Sequence, residues 1–313
     1  MHYVHSFAMD LHDLGLFYGL WLKMGLSPSS DFPMTNSQNG FAFPVVAFIG
    51  GGNMASALIG GLLKAGCSLD RIQIIEPSLE QRYRLKQQFG IEAIEVPSDQ
   101  LAQAQWVVWA VKPQVFADAA APCVPFLNQQ VAHLSIMAGV RMASMETCLG
   151  TQRIVRTMPN TPALIGQGVA GVYAHESVNA AERQAVEALL KPTGSVVWVQ
   201  QESQLDAVTA LSGSGPAYVF YLLEAMIESG LRMGLSYEQA HQLVVSTAVG
   251  ASALAQQTGL PPKQLREQVT SKGGTTYAAL QSMDQSNVQE SIVSAIEQAR
   301  IRAVELGDLW GKS

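Results

Sequence analysis

Apolar residues are distributed along this chain in two regimes. Between residues 45 and 199 they cluster in short runs at 45–49, 72–75, 91–94, 106–111, 131–136, 153–156, 169–173 and 196–199. Runs this short, separated by turn residues, read as strands. The unbroken Trp-Val-Val-Trp-Ala-Val segment at 106–111 fits a strand buried on both faces. Helical spacing appears between strands at 79–89, stopped by Gly90, and at 180–190. From Ser203 the period becomes helical and stays so. Ser214-Gly215-Pro216 opens a helix to about Met233. Ser236 with Gln239 forms a capping box for a helix over 237–258, ended by Gly259. A short helix covers 262–269, and Asn287 with Glu290 opens the last, to Leu306. The pattern predicts an α/β sheet region followed by an all-α region.

The strand-to-helix transition at 45–63 is the most informative. Phe48-Ile49-Gly50-Gly51-Gly52-Asn53-Met54-Ala55 is a G-x-G-x-x-A sequence that leaves a β-branched run and enters Leu58-Ile59 and Leu62-Leu63. In that context Gly50 permits the turn, Gly52 lets the backbone approach a pyrophosphate, and Ala55 lets the helix pack on the strand. The next strand ends in Glu76, about 20 or so residues on, where a ribose diol would be gripped. The first region therefore reads as a Rossmann-type dinucleotide-binding domain.

Composition narrows the class. The chain has 313 residues, 14% charged, and a net charge of −6, so no basic field favours nucleic acid. Cys67, Cys123 and Cys148 show no C-x-x-C spacing or metal-binding His pattern, and read as reduced and structural, which points to the cytoplasm. Residues 14–26 are apolar but too short to span a bilayer, and the acidic residues before them do not suit a signal peptide, so no membrane is expected. Residues 1–43 read as an extension or linker, with Met34 a candidate start; 44–202 as the nucleotide domain; 203–313 as the helical domain. Two helical stretches, 217–227 and 243–254, are apolar on more than one face. A domain of about 110 residues cannot bury both, and an intertwined dimer would.

A second candidate site is Ser271-Lys272-Gly273-Gly274-Thr275-Thr276. Two glycines and two threonines at a helix start offer backbone N–H groups and hydroxyls to one small volume, enough to hold a carboxylate; a cap would need a single hydroxyl residue. No His or Lys stands out as a general base, and His133 and His241 read as core or surface residues.

Five segments together carry a resemblance: the 50–55 loop, Ala110-Val111-Lys112-Pro113, Met158-Pro159-Asn160-Thr161-Pro162, the 211–218 sequence LSGSGPAY, and the 269–276 sequence VTSKGGTT. In register from about 45 to 306, the chain resembles pyrroline-5-carboxylate reductase. The resemblance implies reduction of the C=N bond of 1-pyrroline-5-carboxylate to L-proline by hydride from NAD(P)H, in a homodimer whose helical domain builds the substrate site, with decamers in many members. By position, Ile49, Gly50, Gly51, Gly52, Asn53 and Met54 would hold the pyrophosphate. Ala110, Val111, Lys112 and Pro113, with Ile136, Met137 and Ala138, would line the ribose and nicotinamide, and Ser78 and Ser98 occupy further cofactor positions. Val269, Ser271, Gly274, Thr275 and Thr276 would hold the substrate. Beside the resemblance, position alone points to Thr276 as the donor to the imine nitrogen, since backbone N–H groups and Thr275 can hold the carboxylate and leave the second hydroxyl free. Many members carry Pro where Lys272 stands. Glu76 disfavours a 2′-phosphate while Ser78 and Arg82 could bind one, so both NADPH and NADH are expected, NADPH preferred on family grounds. Two alternatives remain. A β-hydroxyacid-type dehydrogenase would need a lysine that residues 217–233 lack, and a non-catalytic nucleotide sensor leaves 271–276 unexplained.

Overall fold

A computed structural model describes residues 43–310. The extension expected over residues 1–43, with Met34, lies outside that range except for its last residue. The apolar runs form a seven-stranded sheet in the order β2-β1-β3-β4-β5-β6-β7, comprising β1 Val46–Ile49, β2 Ile72–Ile75, β3 Trp106–Trp109, β4 Ala132–Ser135, β5 Ile154–Met158, β6 Gly168–Ala174 and β7 Gly194–Trp198. Every pairing is parallel except β5 with β6. Only nine residues separate β5 from β6, too few for the crossover that a parallel neighbour requires. The 91–94 run does not become a strand. It touches the sheet at one bridge, where Ile94 N–H donates to Ile74 O and Ile94 O accepts from Glu76 N–H.

Both faces of the sheet are covered, and successive β1 residues serve opposite cores. Val46 and Phe48 join one cluster with Leu58, Leu62 and Leu85; Ala47 and Ile49 join the other with Trp109, Phe116 and Met145. The covering helices are α1 Asn53–Lys64, α2 Leu79–Phe89, α3 Phe116–Cys123, α4 Met142–Leu149 and α5 Ala180–Leu190.

His133 on β4 is 2% exposed, and its Nδ1 accepts the Trp109 Nε1 hydrogen bond at 3.1 Å, which places the proton of the neutral ring on Nε2. Burial first, and Arg153 second, push its pKa down to about 4. Because the folded pKa lies below the unfolded one, the unfolded chain binds the extra proton: stability is full above about pH 6.5 and falls as pH drops toward 4, by roughly 3 kcal/mol at most. His133→Gln keeps an acceptor for Trp109 and should flatten this limb of a denaturant-midpoint against pH curve. An unchanged slope between pH 4 and 6.5 would assign the acid sensitivity elsewhere.

After β7 the chain is helical: α6 Gln204–Val208, a π-helical turn at Thr209–Gly213, α7 Gly215–Arg232, α8 Tyr237–Thr258, α9 Pro262–Gln268, α10 Thr275–Gln285 and α11 Val288–Trp310. The Ser236/Gln239 capping box is formed in both directions, and Gly259 closes α8 in the left-handed conformation. These helices bury little within one chain. Gly230 is the buried residue of α7, Ala240 and Val244 those of α8, and α10 has none.

Candidate active site

The glycine loop sits where β1, β2 and β3 end side by side. Gly50 has φ +95°, its N–H donates to Ile75 O at 2.8 Å, and a Cβ there would lie 2.7 Å from the Ala110 carbonyl oxygen; only glycine fits both the turn and the approach. The Gly51 peptide is gripped on both sides. Its N–H donates to Glu76 Oε2 at 2.8 Å, and its carbonyl accepts from Gln81 Nε2 at 2.5 Å and Ser56 Oγ at 3.4 Å. Gly52 then opens outward, with no atom within 4 Å of the position a Cβ would take. As the cap of α1 it supplies no side chain to the free N–H groups, and the first turn carries no acid. An anion can therefore approach the start of α1 along bare backbone, the fit a dinucleotide pyrophosphate requires. Asn53 is exposed and Met54 half-buried beside it.

The remaining cofactor candidates divide into those at the strand ends and those around α2. Ala110 is anchored by its N–H to Ile49 O at 2.8 Å, with Val111 and Pro113 partly buried and Lys112 exposed beyond it. Ile136 joins the same edge through its N–H to Trp109 O at 3.2 Å, Met137 N–H donates to the buried Ser135 Oγ at 3.2 Å, and Ala138 is half-buried. Glu76 is only 8% exposed and accepts from Ser78 N–H at 2.8 Å as well as from Gly51, so its carboxylate braces the loop from behind. Ser78 is exposed and caps α2 by accepting from Gln81 N–H at 3.3 Å. Arg82, offered from sequence as a partner for a 2′-phosphate, is spent elsewhere. Its Nη1 donates to the carbonyls of Glu76 and Pro77, at 2.9 and 2.8 Å, and its Nη2 to Glu95 at 2.9 Å. Ser98 begins a 3₁₀ turn and makes no capping bond with its side chain.

The 269–276 segment forms a tight turn into α10. Gly274 N–H donates to Ser271 O at 3.0 Å and Gly273 has φ +77°, the third position of a type II turn whose second position, Lys272, favours proline. Ser271 Oγ lies 2.6 Å from where a Gly274 Cβ would be, so a side chain at Gly274 would displace the hydroxyl. Gly274 caps α10 without a side-chain hydrogen bond, Thr275 is exposed and Thr276 half-buried at the first two helical positions, and Val269 is 67% exposed. Among the described residues no hydrogen bond or ion pair joins 269–276 to the strand ends; within the chain α10 packs on α11. One chain thus carries two half-sites, the glycine loop and the threonine turn, without closing one on the other.

One residue that the sequence offered only as part of the 158–162 segment makes a link of its own. Asn160, at the end of β5, is 9% exposed and donates from Nδ2 to Ser212 O at 3.2 Å while its Oδ1 accepts from Val169 N–H at 2.9 Å. It ties the 158–162 segment to the π-helical turn at 209–213, a geometry often found at functional sites. The signal available in sequence was the pairing of those two segments in one resemblance.

Two family models match the chain: pyrroline-5-carboxylate reductase dimerisation over residues 202–306, and NADP oxidoreductase, coenzyme F420-dependent, over residues 45–139. A pyrroline-5-carboxylate reductase of Pseudomonas aeruginosa is 42% identical over 270 residues, covering 86% of this chain and 99% of that protein. This chain belongs to the pyrroline-5-carboxylate reductase family. Solved members superpose over the same span. The reductase from Coxiella burnetii has a TM-score of 0.78 at 36% identity, covering 84% of this chain and 98% of its own. The Plasmodium falciparum enzyme, described with NADP bound, has 0.76 at 28%, covering 86% and 100%. The match to the dimerisation model begins in the β7-to-α6 connection and takes in the helices that follow it.

Proposed function

We propose that the chain reduces 1-pyrroline-5-carboxylate to L-proline, with the 44–202 region holding the nicotinamide dinucleotide and the 203–313 region building the substrate site of a homodimer. The observation that carries this reading is the pairing, in one chain, of an open glycine loop at the strand ends with a glycine-capped threonine turn at α10. A nucleotide sensor needs only the first. A β-hydroxyacid-type dehydrogenase would need a lysine in the first long helix, and α7 contains none.

Ile49, Gly50, Gly51, Gly52, Asn53 and Met54 hold the pyrophosphate, Ala110 to Pro113 and Ile136 to Ala138 border the nicotinamide, and Ser78 and Ser98 border the adenosine ribose. When bound, the nicotinamide supplies a hydride to the imine carbon. The free N–H groups of the first turn of α10, with Ser271 and Thr275, hold the substrate carboxylate, while Val269 and Gly274 shape the turn around it. Thr276 meets the ring nitrogen. No strong base is needed, since the nitrogen gains a proton. The unpaired state of Cys67, Cys123 and Cys148 suits a reducing compartment, the cytoplasm, and no helix among the described residues is long and apolar enough to cross a membrane.

Consumption of NADPH and of NADH measured with a panel of cyclic imino acids and 2-hydroxy acids tests the reading; turnover confined to 2-hydroxy acids would replace it. Both nucleotides should serve, NADPH somewhat better. In Glu76→Gln one acceptor oxygen stays for Gly51 while the negative charge is lost. The NADPH to NADH ratio of kcat/KM should then rise several-fold. An unchanged ratio would mean that Glu76 braces the loop without sensing the 2′ position.

A further inference from the structure

The loop that follows β4, residues 136–140, leads directly into α4, and the helical region fastens it from several sides. Arg141, the residue before α4, donates from Nη1 to both Asp206 carboxylate oxygens at 3.0 Å, and Asp206 on α6 is 5% exposed. Arg141 offers α4 no side-chain cap; instead Glu202, just before α6, accepts the first α4 N–H, from Met142, on its Oε1 at 2.6 Å. The same Glu202 oxygen pairs with Arg156 Nη1 of β5, a guanidinium 3% exposed whose Nε has no hydrogen-bond partner. On the other side, the Arg141 guanidinium lies against Gly307 of α11, and the Trp310 ring lies 2.9 Å from where a Gly139 Cβ would be.

We propose that Asp206 and Glu202 are positioning residues for the reduction, in that they lock the 136–140 loop to the helical region and so set where the nicotinamide edge stands relative to the substrate turn. This rests on the reading that Ile136 to Ala138 border the nicotinamide. The chemistry favours positioning over simple stabilisation. Removing both charges of a buried pair for apolar groups is often neutral for stability, whereas a carboxylate that accepts a helix-terminal N–H and an arginine together fixes direction as well as distance. The two carboxylates stand at the start of the helical region, and the groups they hold, Arg141, Met142 N–H and Arg156, belong to the sheet region. Any tilt between the two regions would move the loop.

The test uses the full chain, with Asp206→Asn and Asp206→Glu, each checked for wild-type sedimentation and thermal midpoint. Asp206→Asn should lower kcat about tenfold while leaving the KM for the imino acid, and the dissociation constants of ADP-ribose and its 2′-phosphate, unchanged; those fragments read the glycine loop without the nicotinamide. Asp206→Glu should recover most of the loss. An unchanged kcat, or a loss of fragment binding equal to the loss of kcat, overturns the proposal, the second because it signals general loosening. Should Asp206→Asn fail to fold, Arg141→Lys keeps the charge with a single point donor, and the same split between kcat and fragment binding decides. Ala138→Leu separates the two layers of the argument. It should weaken the whole dinucleotide but not the fragments; if it weakens neither, the nicotinamide placement is wrong and the proposal falls with it.

Discussion

Thr276→Val should lower kcat for the imino acid by a factor on the order of 10² and leave NAD(P)H affinity unchanged. The substitution keeps the branched shape and removes the hydroxyl donor. Gly274 caps α10 with no side-chain oxygen and the first turn has no acid, so the backbone N–H groups at 275–277 are free to hold a carboxylate, with the exposed Thr275 hydroxyl beside them. The ring nitrogen is bonded directly to the carbon that bears that carboxylate. The half-buried Thr276 hydroxyl, one residue on, is therefore left for the nitrogen, whose need for a hydrogen-bond donor grows as it becomes an amine. An interaction that strengthens toward the transition state shows in kcat, while uniform binding shows in KM. If kcat holds and only the KM for the imino acid rises, Thr276 is a binding residue and the proton arrives from solvent or with the substrate.

Where local chemistry decided the structure, the sequence was legible. Helix α2 begins after a serine whose hydroxyl accepts the Gln81 N–H and ends at Gly90 with φ +72°, so both ends follow from capping and the expected range of 79–89 is the observed one. The same holds for α8 with its reciprocal capping box. Helices α3 and α4 were not read. Pro122 stands inside α3, and α4 starts from Arg141, whose guanidinium has no acceptor with which to cap; Glu202, 60 residues away, takes the Met142 N–H. The 91–94 run has strand composition, yet only Ile94 bridges β2; composition reports a fit to a pleated surface, not which neighbour is there. At the site, the glycine loop was legible because its geometry is local, whereas the roles of Glu76 and Arg82 depend on which backbone groups surround them. Arg82 looked free in sequence and is held by two carbonyls and Glu95. The tie that Asn160 makes was hidden for the same reason, since the carbonyl that accepts from it, Ser212 O, lies 52 residues on.

The protein should sediment as a dimer, or a larger assembly of dimers, down to nanomolar concentration, with no active monomer at any dilution. The reason is the apolar surface that one chain leaves uncovered. On α7, Val219 is 50% exposed, Phe220 58%, Tyr221 77% and Leu222 54%, and α11 adds Ile292 and Val293 at 50% and 54%. Covering a large apolar side chain contributes about 1.5–3 kcal/mol. Half a dozen such residues, most already about half covered, forfeit on the order of 5 kcal/mol, a large share of the whole stability of a typical domain. The family model over 202–306 is a dimerisation model, so a second copy is the partner whose matching helices can cover this face. Leu222→Glu places a charge on it and should abolish activity together with the folded dimer, whereas Lys263→Glu, on the short polar α9, should leave both intact. Function gives the same result a second reading: with the threonine turn of one chain making no bond to its own strand ends, separation of the copies would remove the substrate half-site even from a chain that stayed folded. An active monomer at nanomolar concentration would overturn both arguments. An inactive but folded one would overturn the first alone, leaving the partner necessary for the site and not for the fold.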